Sequence, residues 1–214
     1  MIDSQLEFWK NSFHSYYKKK KFEDKSHDLS HFKRVWSLCS RLSEGSDASL
    51  LVLLAGSYFH DLVNYPKDSD KRHLSSRDSA IAAEKILNSL GFPSDLLGNV
   101  KHCIEAHSYS AQIEPLTLEA KILQDADRME SLGAIGIART FYVSGRMGSE
   151  LFDSEDPLAE NRPLDDMKYA LDHFEVKLYK IAETMITDKG RDEAQNRVSV
   201  IKAFIENIRE ELLY

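Results

Sequence analysis

The spacing of apolar residues predicts helices almost from end to end of the chain. A first amphipathic helix is expected over about 3–20. A second starts near Ser26, whose side chain suits an N-cap, and stops at Gly45, a residue suited to the C-terminal end. Its apolar face reads His31, Val35, Leu38, Leu42, in steps of four, three and four. The third, after Asp47, is apolar on every side through LLVLLAGSYF, the pattern of a helix buried all round, and it closes on His60 and Asp61. A polar loop over 64–74 leads to a helix at about 75–90, which Gly91-Phe92-Pro93 terminates. Another follows at about 94–107. Pro115 is expected to open a sixth that runs through Asp127, with Leu116, Ala120, Leu123 and Asp127 on one face. Gly133, Gly136, Gly145 and Gly148 are expected to interrupt the next stretch, and 149–163 reads as an exposed loop. Two long helices, about 164–187 and 191–213 with Gly190 between them, complete the pattern. Alternating Val/Ile/Thr-rich runs and Asn-Gly or Asp-Gly hairpin signals do not occur. The expectation is an all-α protein: one domain over 1–214, with a core at about 22–145 and a C-terminal helical extension at about 163–214.

Composition narrows the function classes. The chain has 214 residues, 42% hydrophobic and 29% charged, enough for one sizeable core. A net charge of −7 argues against a nucleic-acid binder, and the single basic cluster, Lys18 to Lys21, reads as a solvated helix end. Phe8, Trp9 and Phe13 are expected to anchor the first helix. Trp36 suits the core or a site mouth equally. No segment is long and apolar enough to span a membrane, and the opening residues lack a signal-peptide pattern. Cys39 and Cys103 read as reduced core thiols, so the expected location is the cytoplasm.

The candidate chemistry lies where polar residues continue apolar stripes. His31 does so on the second helix. Taken singly, a buried, hydrogen-bonded histidine is the plainer account of it. Asp127 does so on the sixth, and a buried carboxylate is costly unless paired or metal-bound. Asp125, two residues away, is expected to face solvent. His60 and Asp61 diverge by about 100° on a regular helix, but at a helix end the backbone can turn both toward one point. Aspartate there opposes the helix dipole, which makes Asp61 hard to explain as a polar helix end facing solvent. His107 ends the face Leu96, Val100, Ile104 and points inward, whereas His102 reads as exposed. Imidazoles and carboxylates from separate helices suit a divalent ion such as Mn, Fe, Co, Ni or Zn, and the lack of thiolates argues against a structural zinc. The small residues of SLGAIGIAR read as close helix packing rather than a phosphate loop.

In order and spacing these residues resemble the HD-domain phosphohydrolase superfamily, and within it the stand-alone YpgQ-like branch. The resemblance rests on HDxxHxxRV at 27–35, FHDL at 59–62, RHLxS at 72–76, AHSYS at 106–110 and QDADRM at 124–129. It continues in ALDHF at 170–174 and in the pattern from Thr187 to Arg197. It implies an all-α HD-domain bundle and metal ligands at His31, His60, Asp61 and Asp127. The implied cofactor is one divalent ion (Mn, Ni, Co, Fe, Zn or Mg), with a second in the minority case where His73 and His107 also ligate. Asp61 is then the group that orients or deprotonates water, His107 or His27 the proton donor, and Asp28 a partner that fixes a histidine tautomer. Arg72, His73, Arg128 and Lys177 are the candidate contacts to phosphate, with Arg197 a further cation and Arg34 a support of the fold. The implied substrate is a small phosphorylated molecule, a nucleotide first among them. Cleavage of a nucleoside triphosphate to monophosphate and pyrophosphate is one specific form. The competing readings are a dinuclear-iron oxygenase and a non-catalytic nucleotide sensor. Neither nucleic acid nor membrane is an expected partner, and the long terminal helices offer a surface for a homodimer.

Overall fold

The computed structural model describes residues 2–18, 29–66 and 69–212, and they are all-α apart from one isolated bridge between Glu150 and Tyr169. The helices are α1 (Ile2–Lys18), α2 (Leu29–Leu42), α3 (Leu50–Phe59), α4 (Ser75–Ser89), α5 (Leu97–His107), α6 (Leu118–Met129), α7 (Gly133–Met147), α8 (Tyr179–Glu183) and α9 (Asp188–Glu211). They form two compact units, Met1–Asp127 and Arg128–Tyr214. Ser26, His27 and Asp28 lie outside the described residues. No helix among the described residues is long and apolar enough to cross a membrane.

The first unit is built around α3, whose residues from Val52 to Phe59 are all buried. Ser49 starts it, its hydroxyl accepting from the Val52 N–H at 3.4 Å. Trp9, Phe13 and Tyr17, spaced by four, form the buried stripe of α1. Phe13 meets Phe59 edge-on at 4.9 Å between ring centres, and Tyr17 donates to the Tyr58 carbonyl at 2.6 Å. Phe8 is 63% exposed and lies off that stripe, so it does not anchor the helix as expected. α4 and α5 fall where the pattern places them, α5 preceded by a 3-10 turn over Ser94–Leu96. Cys39 and Cys103 are buried and unpaired with each other or any thiol. Trp36 is half-buried.

α6 departs from expectation at its start. It begins at Leu118, not Pro115, because the Thr117 hydroxyl accepts from the Ala120 N–H at 3.2 Å and caps it. Leu116 therefore precedes the helix and is 69% exposed rather than part of the apolar face. Its N–H donates to His102 Nε2 at 2.9 Å, which makes His102 half-buried and engaged rather than exposed.

In the second unit α7 runs unbroken through Gly136 and Gly145, contrary to the expected interruption. Gly136 is there because a Cβ at that position would lie 2.2 Å from the Ser131 carbonyl oxygen. Gly136 accommodates the preceding turn, whereas an added Cβ at Gly133 would meet Arg197 at 3.2 Å, the close helix packing expected of this segment. Of the helix expected over 164–187, only 172–183 is helical. Asp165 Oδ1 accepts from the N–H groups of Met167 and Lys168, and Asp172 accepts from the Asp165 N–H and from both terminal nitrogens of Arg162. Side-chain acceptors here outcompete the helical pattern. The helical stretch passes through a π-turn, Phe174–Leu178, into α8. α9 starts at Asp188 with Thr187 as its cap, so Gly190 lies in its first turn and does not separate two helices. Phe141, Phe174 and Phe204 stack around one another at 5.8–6.0 Å.

Candidate metal centre

Four helices deliver five polar side chains to one point in the first unit. α2 contributes His31 and α5 its last residue, His107; Asp127 comes from the last turn of α6. His60 follows α3 with helical backbone angles, and Asp61 is next. His31 Nε2 lies 3.2 Å from His60 Nε2, and each of the two is 3.6 Å from Asp127 Oδ1. Asp61 bridges outward: its Oδ2 is 3.7 Å from His60 Nε2 and its Oδ1 is 3.4 Å from His107 Nε2. His31, His60 and Asp127 form one group that could hold an ion, and His60, Asp61 and His107 another.

Ring orientation is set from within the helices. His60 Nδ1 donates to the Ser57 carbonyl at 3.0 Å and His107 Nδ1 to the Ile104 carbonyl at 2.6 Å, each three residues back. With the proton on Nδ1, each Nε2 presents a lone pair to the centre. In that tautomer the His60 lone pair faces another imidazole nitrogen at 3.2 Å. A proton on either ring or a metal ion between them would satisfy that contact. Burial works against charge on the His60 ring, but Asp61, Asp127 and the Ser57 carbonyl outweigh it and hold its pKa at about 9. Burial would raise Asp127, but the contact with His60 and the charges of His60, His107 and His31 hold its carboxyl well below the usual range. The histidine rings are buried, whereas the side chain of Asp127 keeps 27% and that of Asp61 16% of their exposure. The carboxylates therefore mark the side from which solvent reaches the cluster.

Residues 28–132 match the HD domain family. The chain carries an HD domain. All five converging residues fall inside it. The chain is homologous to YpgQ of Bacillus subtilis, 29% identical over 194 residues, which is 89% of this chain and 86% of that protein. A crystal structure of YpgQ in complex with ADP superposes with a TM-score of 0.69 at 27% identity, covering 98% of this chain and 94% of that one. An HD-superfamily hydrolase from Bacillus thuringiensis gives a TM-score of 0.72 at 25% identity, over 99% and 98% of the two chains. The fold is that of the HD-superfamily hydrolases, and HD domains bind divalent metals.

His73 is exposed on a 3-10 turn, Arg72–Leu74, and joins neither candidate group. Arg72 Nη1 donates to Asn64 Oδ1 and to the Tyr65 carbonyl. Arg128 follows Asp127 directly and donates to the Thr184 carbonyl at 3.3 Å. Lys177 is exposed in the π-turn of the second unit. Arg197 is committed to Glu193 and the Met129 carbonyl, and Arg34 donates to Ser30. His27 lies outside the described residues. Asp125 is fully buried, not solvated as expected. A face count from two residues away does not see that α6 is packed on more than one side.

Proposed function

We propose that the cluster holds one divalent cation through His31, His60, Asp61 and Asp127, and that the protein is a metal-dependent phosphohydrolase of a small phosphorylated molecule, in the first place a nucleotide. The observation that carries this reading is the convergence of buried imidazole Nε2 atoms and partly open carboxylates within 3.2–3.7 Å. The two candidate groups share His60, whose Nδ1 is already given to Ser57, so a single Nε2 serves both. That sharing supports one ion, as does the position of His73 outside both groups. The nucleotide preference draws support from the ADP complex of YpgQ.

When bound, a divalent ion polarises a phosphoryl group and acidifies water. The remaining chemistry belongs to the chain. Asp61 reaches both His60 and His107, and its partly exposed carboxylate is the group to orient the attacking water and take its proton. His107 Nε2, 3.4 Å from Asp61 Oδ1, is the proposed relay of a proton to the leaving oxygen; His27 is the second candidate for that step. Arg72, His73, Arg128 and Lys177 are the proposed contacts to phosphate charge, and the full chain, 1–214, is the working unit. The test is a panel of nucleoside mono-, di- and triphosphates with Mn²⁺ or Co²⁺, scored for phosphate and pyrophosphate release. Turnover of one class is expected, and His60→Ala and Asp127→Ala should lose both bound metal and activity. Absence of turnover on every phosphorylated compound sinks the phosphohydrolase reading, and a fully active His60→Ala sinks the ligand assignment.

A further inference from the structure

The HD cluster has a counterpart at the other end of the same helices. Glu119, in the first turn of α6, is nine-tenths buried. Its Oε1 accepts from the Ser49 N–H, the cap of α3, at 2.8 Å. Its Oε2 accepts from Asn99 Nδ2, in the first turn of α5, at 3.1 Å. Asn99 Oδ1 in turn accepts from the Thr117 hydroxyl, the cap of α6, at 2.9 Å. One carboxylate thus fastens the starts of three helices, where the positive ends of the α3 and α6 dipoles favour it. The hydrogen bonds it accepts hold its pKa low although burial works to raise it.

The three helices run in the same direction, and their residues fall into layers four apart. Asn99, Cys103 and His107 follow one another along α5, and Glu119, Leu123 and Asp127 along α6. On α3 the middle layer is Gly56, where an added Cβ would meet Leu123 Cδ2 at 2.9 Å and Cys103 Cβ at 3.7 Å, and the last is His60. The clasp and the cluster are therefore about 12 Å apart on α5 and α6, eight residues at 1.5 Å each. A slip of one residue along any helix moves a donor by about 1.5 Å, enough to dissolve contacts of 3.2–3.7 Å.

We propose that Glu119 is a positioning residue of the metal centre, fixing the axial register of α3, α5 and α6 so that His60, His107 and Asp127 converge. This rests on the reading that the cluster binds a divalent ion. The test is titration of metal-free full-length protein with Co²⁺, following the dissociation constant and the visible spectrum of bound cobalt, with circular dichroism to confirm folding. The variants are Glu119→Ala, Glu119→Gln and Asn99→Ala. The control is Leu87→Ala, a fully buried truncation on α4, away from the clasp. Glu119→Ala and Asn99→Ala should weaken cobalt binding by about tenfold and shift its spectrum. Glu119→Gln, which can keep the bond to Ser49, should fall between them and wild type, and Leu87→Ala should match wild type. If Glu119→Ala does not fold, the other two clasp variants decide the matter. Folded clasp variants with wild-type affinity and spectrum overturn the inference, as does an equal loss in Leu87→Ala. Wild-type protein that binds no Co²⁺ instead overturns the metal reading, and the inference falls with it.

Discussion

Raising the pH from 7 to 9 takes the proton from about half of the molecules whose His60 carries it when no ion is bound. The ring's pKa is about 9 in the folded protein against 6.5 for a free imidazole. Because the folded value is the higher, the proton stabilises the metal-free protein fully below pH 6.5, and that stability is lost as pH rises through 9. The loss from pH 7 to 9 is on the order of 2 kcal/mol. Metal binding depends on pH in the opposite sense. The same proton must leave before Nε2 can ligate, and at pH 7 roughly one molecule in a hundred has lost it. Apparent affinity should therefore rise by about tenfold per pH unit between 6.5 and 8. The assay is calorimetric titration with Co²⁺ in buffers of different ionisation enthalpy, which counts released protons, together with thermal unfolding of metal-free protein across the same range. Close to one proton from the chain should be released per ion at pH 7. A pH-independent affinity with no buffer dependence would refute the linked His60–Asp127 pair.

Other consequences can be checked separately. His107→Asn should retain the ion, held by the other four side chains, while turnover falls by about 10²-fold or more; loss of the ion in equilibrium dialysis would make His107 a ligand. Gly136→Ala forces a Cβ to 2.2 Å from the Ser131 carbonyl and should cost about 3 kcal/mol in urea unfolding; wild-type stability would contradict the close approach. Burial pushes the Cys39 thiol up to about 12, so a thiol reagent at pH 8 should react with it only after denaturant is added. Rapid modification of the folded protein would mean that this part of the core opens.

What the sequence discloses and what it hides follow from the range of the forces involved. α4 and α5 are readable because their stops are local: a Gly-Phe-Pro break and a short polar loop. His31 and Asp127 are readable because each continues an apolar stripe on its own helix. The failures are of two kinds. Over 164–171 the apolar spacing suits a helix, but Asp165 and Asp172 capture backbone N–H groups, and this local competition leaves no mark on periodicity. Asp125 and Glu119 are invisible for the other reason. Their burial depends on what packs against α6, and the partners of Glu119 lie 70 and 20 residues away in the chain. Spacing within one helix carries no trace of such partners.

The histidines at the ends of α3 and α5 are each tied to a carbonyl of their own helix, three residues back. No neighbouring element has to arrive before these rings take their working tautomer. The proposed metal site is in this respect set before it is filled, so an ion entering it would meet donors already aimed rather than a loop that must close. Ion exchange should then be governed by dehydration of the incoming cation and by proton departure, and the loaded and metal-free proteins should share one backbone conformation.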